Sequence, residues 1–313
     1  MPVMTHPGIE ALGYTVKQAV SDGRIQYEAI KYIADNFDTI ACMSMMDLTV
    51  EAEAFGAKIN FPEHEIPTVS ERLLADAAAI SELKVPTLDA GRIPQYLLAN
   101  RLAAENIRNK PVFSGCIGPF SLAGRLYDMS EIMVAIYIEP DAMEQLLSKC
   151  TEFMINYCLA LKATGTQGVI IAEPAAGLLS GDDCMTCSTQ FVKRIVDAVQ
   201  DDTFTVILHN CGNTGQCTHA MIESGARALH FGNAIDMQQV LTDCPADILV
   251  FGNLDPVTVF KQGTPESIQS DTKVLMEKAG KYSNFVFSSG CDLPPFTPEI
   301  NIRAFLNAVN QYQ

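Results

Sequence analysis

Short unbroken runs of apolar residues recur along the chain, and after each comes a longer stretch whose apolar positions return every three or four residues. The runs lie at 2–4, 39–42, 111–113, 168–172, 204–208, 228–231, 248–251 and 285–287. Runs of this length, rich in β-branched and aromatic residues and without polar alternation, predict strands buried on both faces, as in a parallel sheet sheathed by helices. The stretch 140–164 shows the complementary period: Met143, Leu146, Leu147, Cys150, Met154, Tyr157, Cys158 and Leu161 fall on one helical stripe. Eight repeats of strand then helix predict an α/β fold, a single (β/α)8 TIM barrel over residues 1–313. A doubly wound open sheet would alternate in the same way, but its glycine-rich dinucleotide fingerprint is absent after the first run. The longest interval between strands, 47–110, predicts an extended excursion of helices and a covering loop after the second strand, with 60–67 as its turn-rich part.

With 313 residues, 48% of them hydrophobic, the chain can bury one large core. It holds no apolar stretch of the roughly 18 residues needed to span a membrane, and its start lacks the basic flank and apolar run of a signal peptide. A cytoplasmic protein is expected. The ten cysteines are dispersed, which favours reduced thiols or metal ligands over a disulfide framework, most of them serving as small core residues. A net charge of −16 with no cluster of Lys and Arg argues against binding nucleic acid or an anionic membrane.

In a barrel the chemistry sits at the carboxyl ends of the strands, and polar residues gather at those places here. His209 and Cys211 are two residues apart, so an extended strand end would point both the same way. Cys291, in the last strand's turn, would supply a third metal ligand, leaving the open fourth position of a catalytic zinc rather than a closed structural one. Spacing alone leaves two alternatives open: a buried histidine with two core cysteines, or a closed local site made with Cys217 and His219. Glu173 ends a strand at the same mouth and is a candidate to border the metal, as a displaceable ligand or as an orienting neighbour, or else to pair with a backbone turn. Asp47 and His6 end the first two strands and are candidates to touch substrate, though helix capping would explain them as well. Asn233, Asn253 and Asp255 share that standing as cofactor-binding candidates, and Gly118 with Pro119 would shape a turn that a ligand could approach closely. Cys184 and Cys187 form a lone CxxC on the same face, a weak signal for a thiol gate. His64, His219 and His230 read as structural.

Several of these segments resemble the uroporphyrinogen decarboxylase superfamily, and within it the zinc-dependent methylcobamide:coenzyme M methyltransferases. They are Met46-Asp47-Leu48-Thr49-Val50-Glu51, Ser114-Gly115-Cys116-Ile117-Gly118-Pro119, Ile171-Ala172-Glu173-Pro174, Leu208-His209-Asn210-Cys211-Gly212-Asn213, Gly252-Asn253-Leu254-Asp255-Pro256 and Gly290-Cys291-Asp292-Leu293-Pro294-Pro295. The resemblance implies that His209, Cys211 and Cys291 are the zinc ligands. It also implies that methyl passes between a corrinoid, a methylcobamide carried on a small partner protein, and a thiol such as coenzyme M. A metal held by two thiolates and an imidazole would keep that thiol deprotonated at neutral pH. The same superfamily includes enzymes that methylate the corrinoid from a small methylated compound and decarboxylase-like lyases that need no metal; a non-catalytic zinc or corrinoid-protein binding module is a third, separate reading. The decarboxylase branch carries an arginine-rich segment after the first strand and a histidine in the final turn. This chain has Met4-Thr5-His6-Pro7-Gly8 and Cys291 there, a poor match for a substrate with many carboxylates. The helical extension usual ahead of the family's first strand is not found, and no Arg or Lys for a sulfonate-bearing acceptor can be singled out at the mouth.

Overall fold

The computed structural model describes residues 1–312. Its strands are β1 (Cys42–Met43), β2 (Ile59–Asn60), β3 (Thr68–Val69), β4 (Val112–Ile117), β5 (Gly168–Ala172), β6 (Thr205–Asn210), β7 (Ala228–Phe231), β8 (Leu249–Leu254) and β9 (Phe285–Ser289). Seven of them form one parallel sheet in the order β1-β4-β5-β6-β7-β8-β9, each strand beside the next one reached after a helical crossover. An open doubly wound sheet would reverse its order partway, and this sheet does not. The remaining edge is approached by the N-terminal run, where Val3 bridges in parallel to Asp292 and Leu293 N–H donates to the Val3 carbonyl at 2.9 Å. Inside the ring, Met1, Val3, Ala41, Met43, Ile170, Ile207, Ala228 and Phe251 form a single buried cluster. That packed interior of bulky side chains from successive strands is what a TIM barrel requires.

Two expectations need correction. The run at 2–4 is not a regular strand but a single bridged residue, because Val3 N–H donates to the Ser289 side chain rather than into a ladder. Strands β4, β6, β8 and β9 extend past their apolar runs to Ile117, Asn210, Leu254 and Ser289, since ladder bonds are made by backbone and tolerate the polar side chains that line the mouth; β1 is only Cys42–Met43 where the run lies at 39–42.

The predicted helical stripe is buried in helix Pro140–Ala163, including every residue named from its period. The excursion after β1 holds helix Val50–Ala54, the β2–β3 hairpin, helix Ala77–Glu82 and helix Ile93–Asn106. Arg92 at the start of the last of these ties it down. Its guanidinium ion-pairs with buried Asp47 and with Glu53, donates to Thr49 Oγ1 at 2.9 Å, and lies 4.7 Å from the centroid of the Phe61 ring. Among the described residues no helix is long and apolar enough to cross a membrane.

Candidate metal centre

Strand β6 delivers His209 one residue before its end, and Cys211 follows at once. Asn210 shapes the exit: its side-chain oxygen accepts from Gly212 N–H and Asn213 N–H, both at 3.0 Å, which turns the chain sharply after Cys211. Cys291 arrives just past β9, where Gly290 N–H donates to the Leu254 carbonyl at 2.7 Å. Gly290 must be glycine, because a Cβ would stand 2.6 Å from the Asn233 nitrogen. The imidazole and two thiol donor atoms lie within 4.8 Å of one another, with His209 Nε2 3.7 Å from Cys291 Sγ.

A hydrogen bond between the two thiols pulls Cys211 down to about 7 and, together with burial, lifts Cys291 to about 12. Cys211 is therefore the more readily ionised of the two, and a bound cation would favour loss of both protons. One nitrogen and two sulfurs on a closed side, with an open side toward a cavity, suit a catalytic zinc.

That cavity, about 170 Å³, is walled by Met46, Leu48, Ile66 and Pro67 from the excursion, by Asp292, and by Arg125. Arg125 sits in the last turn of helix Pro119–Tyr127 and makes no hydrogen bond or ion pair among the described residues. Burial lowers its pKa from the ordinary value, only partly offset by the charges of Asp47 and Glu51. Sequence reasoning missed this cation because it lies on a helix, away from any strand end; no spacing signals it.

The other candidates occupy different places. Glu173 accepts from Phe120 N–H (2.9 Å), Ser121 N–H (2.9 Å) and Ser121 Oγ–H (2.7 Å), so its carboxylate caps helix Pro119–Tyr127, whose own N-cap, Gly118, has no side chain to do so. It does not belong to the group of clustered donor atoms. The close approach at Gly118 is made by Glu173 itself, since a Cβ there would overlap the Glu173 carboxyl; Pro119 opens the helix. Asp47 is engaged by Arg92, Thr49 and Tyr96. His6 begins helix His6–Ala11, is pushed down to about 4 by burial, and stands 3.9 Å from Asp292, beside Cys291. Asn233 donates to Asp255 (2.9 Å), Asp255 caps the turn Pro256–Lys261, and Asn253 donates to the carbonyls of Gly232 and Ile235. These three brace the ends of β7 and β8 against each other.

The closed four-ligand alternative falls. Cys217 Sγ–H points to the carbonyls of Ala176 (3.4 Å) and Leu179 (3.6 Å), and His219 lies exposed on helix Thr218–Glu223. Cys184 has Cys217, not Cys187, as its thiol neighbour, so the CxxC is not a local pair. His230, read as structural from sequence, contacts the site directly: its Nδ1 is 2.6 Å from His209 Nδ1. The two residues face each other across the β6–β7 register, which a sequence does not display.

The uroporphyrinogen decarboxylase (URO-D) family model matches residues 3–312. A methylcobamide:CoM methyltransferase MtbA of Methanosarcina mazei is 29% identical over 271 residues, covering 85% of this chain and 78% of its own length. A uroporphyrinogen decarboxylase of Xylella fastidiosa is 26% identical over 291 residues, covering 88% and 81%. Among solved structures, a methyltransferase from Methanosarcina mazei superposes with a TM-score of 0.90 at 22% identity over 99% of this chain and 92% of that one. A B12-independent methionine synthase from Shewanella sp. W3-18-1 reaches 0.59 at 13% identity, covering 92% and 86%. At those identities the two structures speak to the fold alone.

Proposed function

The chain belongs to the uroporphyrinogen decarboxylase family, and from that premise we propose that it is a zinc-dependent methyltransferase that moves a methyl group between a methylated corrinoid and a small thiol such as coenzyme M. The observation that carries this is the trio His209, Cys211 and Cys291, with donor atoms within 4.8 Å and one side open to a cavity. These residues would hold zinc, whose charge would keep a substrate thiol deprotonated. The rest of the work falls to the chain. Met46, Leu48 and Ile66 exclude water from the sulfur, and Arg125 supplies a countercharge for an acidic group at the thiol's far end. A cavity of about 170 Å³ admits such a thiol but not a corrin ring, so the corrinoid must be presented from outside, as on a small carrier protein. We place the reaction in the cytoplasm, where reducing conditions keep the Cys211 and Cys291 thiols free.

Relatives named as decarboxylases also match this chain. The cavity argues against that activity here, because a substrate with many carboxylates needs several arginine partners and this cavity offers Arg125 alone. Elemental analysis of the purified protein tests the proposal. About one zinc per chain in the wild type, lost in Cys291→Ser and His209→Ala, followed by methyl transfer from methylcobalamin to a thiol, is the expected result. A wild type that takes up no zinc under reducing conditions refutes it.

A further inference from the structure

A line of hydrogen bonds runs from His209 into the sealed interior of the barrel. His209 Nδ1 lies 2.6 Å from His230 Nδ1, His230 Nε2 lies 3.0 Å from Ser288 Oγ, and Ser288 Oγ–H reaches the Met1 carbonyl. His230 and Ser288 are both fully buried, and among the described residues His230 makes no bond to a carboxylate. The last acceptor fixes the direction of the whole line. A carbonyl oxygen only accepts, so Ser288 spends its one hydrogen there and must accept from His230 Nε2–H. A neutral His230 then has a bare Nδ1, which accepts from His209 Nδ1–H. With its proton on Nδ1, the His209 imidazole has its lone pair on Nε2, the atom that faces Cys291 at 3.7 Å.

We propose that His230 and Ser288 are positioning residues that hold His209 in the one tautomer able to bind a metal through Nε2. The inference rests on the metal reading of the site and deepens it. Running the line in reverse would take Ser288's hydrogen from the Met1 carbonyl and place a proton on His209 Nε2, where the cation must bind. The neighbours of metal-bound histidines are usually carboxylates or backbone carbonyls. Here an imidazole takes that place, and its own orientation is set by a serine two strands away, on β9.

Zinc affinity, measured on the metal-free protein by competition with a chromophoric chelator, reads this directly. Ser288→Ala leaves His230 Nε2–H without an acceptor and favours the reversed line; a loss of about tenfold in zinc affinity is expected, with the thermal midpoint of the metal-free protein little changed. His230→Leu should lose about 10–100-fold, and His230→Gln, whose amide oxygen can accept from His209 Nδ1–H, should recover part of that loss. Rescue by Gln and not by Leu separates positioning from simple packing. Wild-type affinity in Ser288→Ala, or equal losses in the Leu and Gln variants, overturns the inference while the metal centre stands. A wild type that binds no zinc overturns both.

Discussion

Adding one methyl group at Gly118 should uncap a helix. Gly118 has φ −90° and ψ 166°, a backbone any residue adopts, so Gly118→Ala carries no conformational strain of its own. The new Cβ would overlap the Glu173 carboxyl, which is fully buried and has no room to retreat. Displacing that carboxylate leaves the N–H groups of Phe120 and Ser121 at a buried helix start without an acceptor. Each orphaned donor costs about 1–3 kcal/mol, so the total is about 3–6 kcal/mol with the lost charge–dipole attraction included. For a chain of 313 residues the unfolding entropy converts 1 kcal/mol into about 1.5 °C, so the thermal midpoint should drop by roughly 5–9 °C. The assay is a double-mutant cycle by calorimetry on the metal-free protein. Glu173→Ala alone should cost a similar amount, and Gly118→Ala added to it should cost almost nothing more, since the methyl then occupies vacated space. If the double variant falls by the sum of the two single losses, the steric argument is wrong.

Arg125→Gln should raise KM for an anionic thiol by about 10–100-fold, the worth of a lost charge-assisted hydrogen bond, while leaving zinc content and the KM for a neutral thiol unchanged; equal effects on both thiols would remove Arg125 from substrate binding. Burial lifts Glu51 to about 7, and its Oε2 has no hydrogen-bond partner among the described residues. Because this folded value exceeds the unfolded one, the folded state holds more protons between about pH 4.5 and 7. Stability associated with the protonated Glu51 is then full below that window and lost as pH rises through it, by roughly 3 kcal/mol. Burial lifts Glu173 to about 7 as well, so Glu51→Gln should lessen rather than abolish the fall in thermal midpoint between pH 5 and 8; parallel profiles for the two proteins would place the titration elsewhere.

The barrel was legible in the chain because burial on both faces leaves a continuous apolar run and a surface helix leaves a stripe, and both are local periodicities. The clustered trio of donor residues was legible in part for the same reason: the alternation of a strand puts His209 and Cys211 on one side, and Cys291 is a second thiol in the turn of another strand. What each neighbouring polar residue does was not. Glu173, Asp47 and Asn253 look alike from sequence as polar groups at strand ends, yet one caps a helix, one is held by Arg92 and one ties two loops together. Arg125 and His230 gave no signal, because their places depend on how a helix lies across the mouth and on which residue of β7 stands opposite His209. The sequence by itself determined the period of most elements, and hence an alternating α/β fold and the shared side of His209 and Cys211 at the end of β6. Only the tertiary structure decided which strands adjoin, that Arg125 meets the cavity beside His209, Cys211 and Cys291, and which buried group contacts His209, since register and long-range packing join residues whose separation along the chain carries no period.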